Sequence, residues 1–290
     1  MPDLLTAHAA NQPEKTAVID DRGGGDVRQL TYAELEARSN QLAHVLRGHG
    51  VRAGDKVVWC GQNSIGVVEM VNASRKLGST AVPLNYRLSD EEAAYVTDHS
   101  DAKLVVVDAP YAALFGRIRD DIPKVGHVLV FGGEAPTGTT GTIACDPLVA
   151  AAPTEPPGED TVDDGGGATM IYTSGTTGKP KGAYRRQGSN PEQTAALLQH
   201  VGYRPDDVYL TTGPLYHSGP GGFMALGRAL GHTIGLQDNL DPHDRVGRRG
   251  TPPGPTTIAA PTPNRQIGKQ PHHTQARAHP TAKRRQVGKA

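Results

Sequence analysis

The sequence predicts an α/β fold, in which mostly parallel strands form layered sheets with helices on their faces. Short apolar, β-rich runs at residues 55–60, 103–107 and 127–131 alternate with segments of helical period. Glycines or capping residues stand at most of the boundaries between them. Repeated strand–helix–strand succession is typical of a sheet built with right-handed crossovers.

The first half of the chain supplies most of the predicted elements. Thr31 can cap a helix whose apolar positions, such as Leu35 and Leu42, recur near helical spacing, and Ser89 can cap another. The predicted order is helix 31–48, strand 55–60, helix 64–77, strand 80–83, helix 89–99, strand 103–107, helix 111–119 and strand 127–131.

The composition changes to Gly, Pro, Thr and Asp between residues 132 and 167. We therefore expect a surface excursion or linker there, with little core of its own. Beyond it the pattern predicts strand 168–172, helix 191–201, an extended segment 207–212, helix 221–230 and strand 232–236. A glycine-rich loop would then join a strand to a helix, where α/β sheets usually present ligands.

Charge is unevenly distributed along the chain. The whole sequence has 30 Lys and Arg against 30 Asp and Glu, but residues 241–290 hold ten of the basic residues and only two of the acidic ones. Residues 1–240 are therefore acidic, which argues against nucleic acid as a partner. A basic, Pro-rich tail is more often solvated than a binding arm.

Cysteine content and hydropathy point to an ordinary cytoplasmic protein. Cys60 and Cys145 have no CxxC spacing, so neither a metal site nor a disulfide framework is predicted; a small buried hydrophobe and a loop thiol are expected instead. No apolar run approaches the ~18 residues that span a bilayer. The N-terminus lacks the pattern of a signal peptide.

Residues 172–182, YTSGTTGKPKG, form the most unusual stretch. Glycine-rich backbone can turn its amides inward as a nest for anions, hydroxyls add donors, and the ammonium of Lys181 or Lys179 could neutralise phosphate. By composition alone, a phosphate cradle and a flexible surface turn are both open. The small or hydroxyl-bearing residues of this loop are Thr173, Ser174, Gly175, Thr176, Thr177 and Gly178.

The order of those residues favours the phosphate cradle. It is not a Walker A loop, because Pro180 stands where GxxxxGK[ST] needs glycine. All eleven positions resemble the phosphate-binding signature of the adenylate-forming superfamily, which includes acyl-CoA synthetases, luciferases and peptide-synthetase adenylation domains. The segment 76–108 also resembles acyl-CoA synthetases, as scaffold. Just past the loop, Ala183, Tyr184, Arg185 and Arg186 depart from the usual pattern. The two arginines could reach phosphate or acyl substrate, but solvated helix charges are expected.

A second motif, PLYHSGP, occupies residues 214–220. On local grounds His217 is either a polar group at the mouth of a pocket or a turn histidine without a role. The motif resembles the aromatic–His pair that the superfamily carries beside the acyl pocket. That resemblance implies that Tyr216 and His217 border the substrate carboxylate.

The resemblance implies an α/β fold like the N-terminal domain of adenylate-forming enzymes, incomplete here, and a function as an acyl-CoA ligase. A carboxylic acid, expected to be a fatty acid, would be activated by ATP with Mg²⁺ and then transferred to CoA. Lys181 and His217 would be catalytic. The phosphates would be held by Thr173, Ser174, Gly175, Thr176, Thr177, Gly178 and Lys179.

Residues 241–290 limit this interpretation. They contain no Leu, Phe, Met, Trp, Tyr or Glu, and such a composition cannot bury enough surface to offset its ordering entropy. We expect residues 1–240 to form a partial adenylation domain and 241–290 to be a disordered or frame-shifted tail. The alternative function is an inactive remnant with weak nucleotide binding.

Overall fold

Two sheets and the helices packed on them make up the described part of the chain. The computed structural model describes residues 3–22, 26–158, 168–173, 179–186, 204, 206–211 and 213–237. All of them belong to one unit, Met1–Ala260. The strands are β1 Thr16–Asp21, β2 Val27–Thr31, β3 Lys56–Cys60, β4 Thr80–Leu84, β5 Ala102–Asp108, β6 His127–Phe131, β7 Thr142–Ala144, β8 Ala168–Thr173, β9 Lys181–Arg186, β10 Val208–Leu210 and β11 Thr233–Gln237.

The helices follow the strands in an alternating order, as the sequence predicts for an α/β fold. The α-helices are α1 Leu4–Asn11, α2 Tyr32–Gly48, α3 Ile65–Lys76, α4 Asp90–His99, α5 Ala112–Arg117, α6 Asp146–Ala151 and α7 Ser218–Ala229. Helix α2 begins with a capping box between Thr31 and Glu34, and α4 with one between Ser89 and Glu92. The N-caps predicted from the sequence at Thr31 and Ser89 are thus confirmed.

The larger sheet has the strand order β7-β6-β5-β3-β4-β8-β9. Every neighbouring pair in it is parallel except β8 and β9, which are antiparallel. Its central strands are buried on both faces, which explains why they are nearly continuous apolar runs such as KVVWC in β3. Alternate residues of each strand therefore contribute to two different cores.

The cores define a layered arrangement. Val57 and Trp59 of β3 face a core that also contains α2, α3 and the smaller sheet. Val58 and Cys60, on the opposite face of the same strand, pack with α4 and α5. The molecule therefore stacks the smaller sheet, a helix layer, the larger sheet and a second helix layer.

The smaller sheet has the order β10-β11-β1-β2, with β1 and β2 antiparallel and the other pairs parallel. It joins the start of the chain to residues more than 200 positions later, since Val18 pairs with Ile234. Helix α1 and strands β1 and β2 lie in a stretch for which the sequence made no prediction. Their short length and polar outer face leave little periodic signal.

Three sequence expectations need correction. Residues 132–158 are not merely a surface excursion, because β7 extends the larger sheet and Val149 of α6 is buried in the core. Cys145 is a buried thiol rather than a loop thiol; Cys60 is buried as expected, and both are free. The glycine-rich loop joins two antiparallel strands, not a strand and a helix.

The arginines after the loop are affected by the same correction. Arg185 is exposed on β9 rather than on a helix. Gly182 and Ala183 are weak strand formers, so β9 carries little local signal and depends on pairing with β8. The predicted helix 191–201 and the tail 241–290 lie outside the described residues. In the part of the chain that the structure describes, no helix is long and apolar enough to cross a bilayer.

Candidate functional site

The hairpin of β8 and β9 presents the two ends of the glycine-rich loop side by side. Thr173, the last residue of β8, pairs directly with Lys181, the first residue of β9, and both are exposed. The residues between them include Ser174, Gly175, Thr176, Thr177 and Gly178, which lie outside the described residues. Thr173 and Lys181, which flank the loop, are therefore cross-strand neighbours at its mouth.

Gly182 has a packing role in this hairpin. It pairs with Tyr172, and a Cβ added at Gly182 would lie 3.1 Å from Tyr172 Cζ and closer still to Met170 Cε. Real Cβ atoms are seldom so close to a ring carbon. A side chain at the last glycine of the loop sequence would therefore have to displace the Met170 methyl and would press on the Tyr172 ring.

Helix α4 contacts both ends of the loop. Nδ1 of His99 lies 2.8 Å from the Tyr172 hydroxyl, and the Tyr95 hydroxyl donates to the Pro180 carbonyl at 3.3 Å. The Lys179 ammonium lies 5.0 Å from the centre of the Tyr95 ring. Burial raises the pKa of Tyr172 to about 12, so its phenol stays protonated and can donate to His99.

The second motif forms the turn that leads into α7. His217 is the N-cap residue of this helix, and its exposed side chain makes no capping hydrogen bond. Tyr216 is buried, with its ring edge-on to Tyr86 at a centroid distance of 5.7 Å. Burial raises the pKa of Tyr216, so its phenol remains neutral. Tyr86 in turn packs against Tyr111 at 4.8 Å, which makes this side of the turn aromatic.

Asn63 fixes that turn to the larger sheet. Its Oδ1 accepts from the Leu215 amide at 2.9 Å, and its Nδ2 donates to the Gly213 carbonyl at 3.1 Å. Asn63 lies three residues after the end of β3 and is buried. One side chain thus satisfies both a donor and an acceptor of the backbone next to Tyr216 and His217.

Two carboxylates support the turn that carries Asn63. Oδ2 of Asp108, at the end of β5, accepts from the Gln62 amide at 3.0 Å. Oδ2 of the buried Asp20, on β1, accepts from the Ile65 amide at 3.1 Å at the N-terminus of α3. Gly61 leaves room for Asp108, because a Cβ at Gly61 would overlap its carboxylate. The turn is therefore held from both sheets.

Both motifs lie at the same edge of the larger sheet. Strands β3, β4 and β8 are parallel neighbours, so their carboxyl ends meet there. Asn63 follows β3, Tyr86 follows β4, and Thr173 ends β8. Because Asn63 and Tyr86 hold the turn of Tyr216 and His217, this turn lies near the edge from which the loop emerges. Open α/β sheets bind ligands at this edge.

Both motifs are predictable from the sequence, but the residues that support them are not among the predicted site residues. Asn63, Tyr86 and Asp108 were not singled out, although each is a polar or aromatic residue just after a predicted strand. That position was the available signal. Within the described ranges, no group of three or more His, Cys, Asp or Glu side chains could hold a metal ion.

Known proteins resemble this chain over most of its length. The family model for AMP-binding enzymes matches residues 5–250. The chain is 30% identical over 214 residues to 3-hydroxybenzoate–CoA ligase of Aromatoleum sp. (strain CIB), which covers 72% of this chain and 38% of that protein. It is 32% identical over 235 residues to feruloyl-CoA synthase of Amycolatopsis sp., covering 81% and 43%.

A long-chain-fatty-acid–CoA ligase of Mycobacterium tuberculosis is 30% identical over 216 residues, covering 74% of this chain and 40% of that protein. The chain thus spans about two fifths of the length of these relatives. Among solved structures, O-succinylbenzoate coenzyme A synthetase of Bacillus subtilis in complex with AMP matches with a TM-score of 0.67 and 27% identity, covering 86% of this chain and 59% of that one.

These matches bear out the expected fold, since the described α/β layers cover the N-terminal part of the fold seen in the solved relatives. The relatives named above are acyl- and aryl-CoA ligases. The chain belongs to the family of AMP-binding enzymes.

Proposed function

We propose that this chain carries the ATP-phosphate site and part of the carboxylic-acid site of an acid–CoA ligase. The observation that carries the proposal is the placement of the loop. It leaves the sheet at the carboxyl edge, with Thr173 opposite Lys181 at its mouth, and the turn of His217 is fixed near the same edge by Asn63. Two of the relatives named above are CoA ligases of an aromatic acid and of long-chain fatty acids.

The loop would hold the β- and γ-phosphates of ATP. Backbone amides and hydroxyls of the kind that Thr173, Ser174, Gly175, Thr176, Thr177 and Gly178 supply are suited to a polyanion. Lys181 is proposed to neutralise the phosphates, because it is exposed and is paired with Thr173 at the mouth of the loop. Mg²⁺ would enter with the nucleotide, since this ion is commonly bound through substrate phosphates.

The proposed reaction has two steps. A carboxylate oxygen attacks the α-phosphorus of ATP, the bond to the bridging oxygen breaks, and pyrophosphate leaves. The thiolate of CoA then attacks the acyl carbon, and AMP leaves with the electron pair of the C–O bond. Adenylation is needed because a free carboxylate has a poor leaving group, and the protein contributes positioning and charge stabilisation.

Tyr216 and His217 are proposed to border the acid. The neutral phenol of Tyr216 and the aromatic contacts to Tyr86 and Tyr111 give this side of the turn an apolar surface with polar tips. The exposed imidazole of His217 can meet a carboxylate without displacing a helix cap, since it makes no capping bond. These features suit a hydrophobic carboxylic acid, either a fatty acid or an aryl acid.

Exchange of labelled pyrophosphate into ATP tests the proposal, with mixed fatty acids and hydroxybenzoates as the acids. We expect acid-dependent exchange that is lost in Lys181→Ala. The matched control is Lys103→Ala, whose lysine pairs with Asp55 near the other end of the sheet. Exchange that survives in Lys181→Ala would refute the assignment of the phosphate site.

A second candidate is nucleotide binding without turnover. It is favoured by the composition of residues 241–290, which include no Leu, Phe, Met, Trp, Tyr or Glu from which further core could be built. The outcome that distinguishes it is binding of MgATP, measured by calorimetry, with no pyrophosphate exchange for any acid. Exchange above background would exclude this candidate.

A further inference from the structure

We propose that Tyr95 and His99 of α4 are positioning residues for the loop, and that Lys179 acts through Tyr95 rather than as a phosphate ligand. The inference rests on the proposed function, because it concerns how the ends of the phosphate loop are held. It also assigns different roles to Lys179 and Lys181, which the sequence alone does not distinguish.

His99 holds the strand that enters the loop. Its Nδ1 is 2.8 Å from the Tyr172 hydroxyl, and the two rings meet nearly at right angles with centroids 5.8 Å apart. The Tyr172 ring also lies against Gly182, so the same contact restrains the strand that leaves the loop. A single histidine on α4 therefore acts on both strands of the hairpin.

Tyr95 holds the segment that leaves the loop. Its hydroxyl donates to the Pro180 carbonyl at 3.3 Å, and the Lys179 ammonium lies 5.0 Å from its ring centre, within the range of a cation–π contact. Pro180 has no amide hydrogen, so its carbonyl is the backbone group through which this residue can be tied. Tyr95 thus makes contacts with two consecutive residues next to Lys181.

Helix α4 is a firm support for these contacts. Its N-terminus carries the capping box of Ser89 and Glu92, and Ala93 and Val96 are buried against the sheet. Arg117 binds both carboxylate oxygens of Asp90 at 2.7 and 2.8 Å, which ties the helix to α5. Tyr95 and His99, one turn apart, pack against each other with their ring centroids 5.1 Å apart and the rings tilted.

The two lysines of the loop differ in their surroundings. Lys179 directs its ammonium at the Tyr95 ring, whereas Lys181 has no hydrogen-bond or ion-pair partner among the described residues. Because the Lys179 ammonium lies over the Tyr95 ring, this contact restrains the backbone at Lys179 and Pro180. Lys181 is paired with Thr173 at the mouth of the loop and is therefore the lysine assigned to the phosphates.

A double-mutant cycle on the full chain tests this division. The probe is inorganic tripolyphosphate, and its dissociation constant is measured by calorimetry for Tyr95→Leu, Lys179→Met and the double variant. We expect each single change to raise the constant about two- to tenfold. The double variant should add little to Tyr95→Leu, because Tyr95→Leu already removes the contact of the Lys179 ammonium with the ring, together with the bond to the Pro180 carbonyl. Lys179→Arg should bind like the wild type, since arginine keeps a cation over the ring.

Hydrogen exchange of the amides in residues 172–182 provides a second measurement that needs no ligand. His99→Leu and Tyr95→Leu should speed exchange in this segment. Tyr184→Phe, which removes an exposed hydroxyl from β9, should not. Unfolding midpoints measured alongside separate a local effect from a loss of the fold.

The outcomes are distinct. If the effects of Tyr95→Leu and Lys179→Met multiply, Lys179 binds phosphate directly and the inference is wrong, while the proposed function stands. Unchanged affinity and exchange in the variants would overturn the inference in the same way. If the wild type binds neither tripolyphosphate nor MgATP, the proposed function fails, and faster exchange would then mark only a structural contact.

Discussion

Replacing Asn63 by alanine should release the turn that carries Tyr216 and His217. The change removes the acceptor of the Leu215 amide at 2.9 Å and the donor to the Gly213 carbonyl at 3.1 Å. Each such bond contributes about 0.5–1.5 kcal/mol net, and a buried amide left without a partner costs about 1–3 kcal/mol. We therefore expect the free energy of unfolding to fall by about 2–4 kcal/mol, a large share of the stability of an ordinary domain.

Urea unfolding and hydrogen exchange together test this prediction. The midpoint should fall, and the Leu215 amide should exchange faster in Asn63→Ala than in the wild type under native conditions. Asn11→Ala is the matched control, because Asn11 is exposed at the end of α1. Its effect should stay within about 0.5 kcal/mol. If Asn63→Ala is as mild as this control, Asn63 does not clamp the turn.

Three further predictions concern packing, charge and pH. Gly182→Ala should destabilise the fold by about 1 kcal/mol in urea unfolding, because its methyl would displace the flexible end of Met170 and press on the Tyr172 ring, whereas Gly222→Ala on the exposed face of α7 should not destabilise it. Arg38→Met should cost about 1–3 kcal/mol by leaving the buried Glu69 without its half-exposed partner, and the Arg38→Met/Glu69→Met variant should recover most of that loss; an unrecovered loss would contradict the pairing. Burial lowers the pKa of His232, so the unfolded chain takes up a proton first and stability should decline as the pH falls below about 6.5; His232→Gln should flatten this decline, and an unchanged slope would count against it.

The sequence predicts well those features that are set by neighbouring residues. The caps at Thr31 and Ser89 depend on a side chain and an amide three positions away, so their local pattern is sufficient. The central strands are also recognisable from local sequence, because burial on both faces makes them continuous apolar runs. The loop at residues 172–182 is recognised by residue order, and the family match supports that identification.

Features that depend on contacts between distant segments could not be predicted in this way. Asn63 hydrogen-bonds to residues 150 or more positions along the chain; its place after a predicted strand marks the edge of the sheet but does not indicate which turn it holds. Strand β9 depends on its pairing with β8. Its Gly182 leaves space for the ring of Tyr172, a contact between the two strands that the sequence of β9 does not reveal. The contact of Lys179 with Tyr95 likewise joins a loop to a helix more than 80 residues earlier.

The measurement that most directly tests the proposed phosphate site compares the binding of MgATP and adenosine to the full chain by calorimetry. If the loop between Thr173 and Lys181 holds the phosphates, MgATP should bind much more tightly than adenosine, and Lys181→Ala should remove most of that difference without changing adenosine binding. Equal affinity for the two ligands, or a preference for MgATP that persists in Lys181→Ala, would contradict the account.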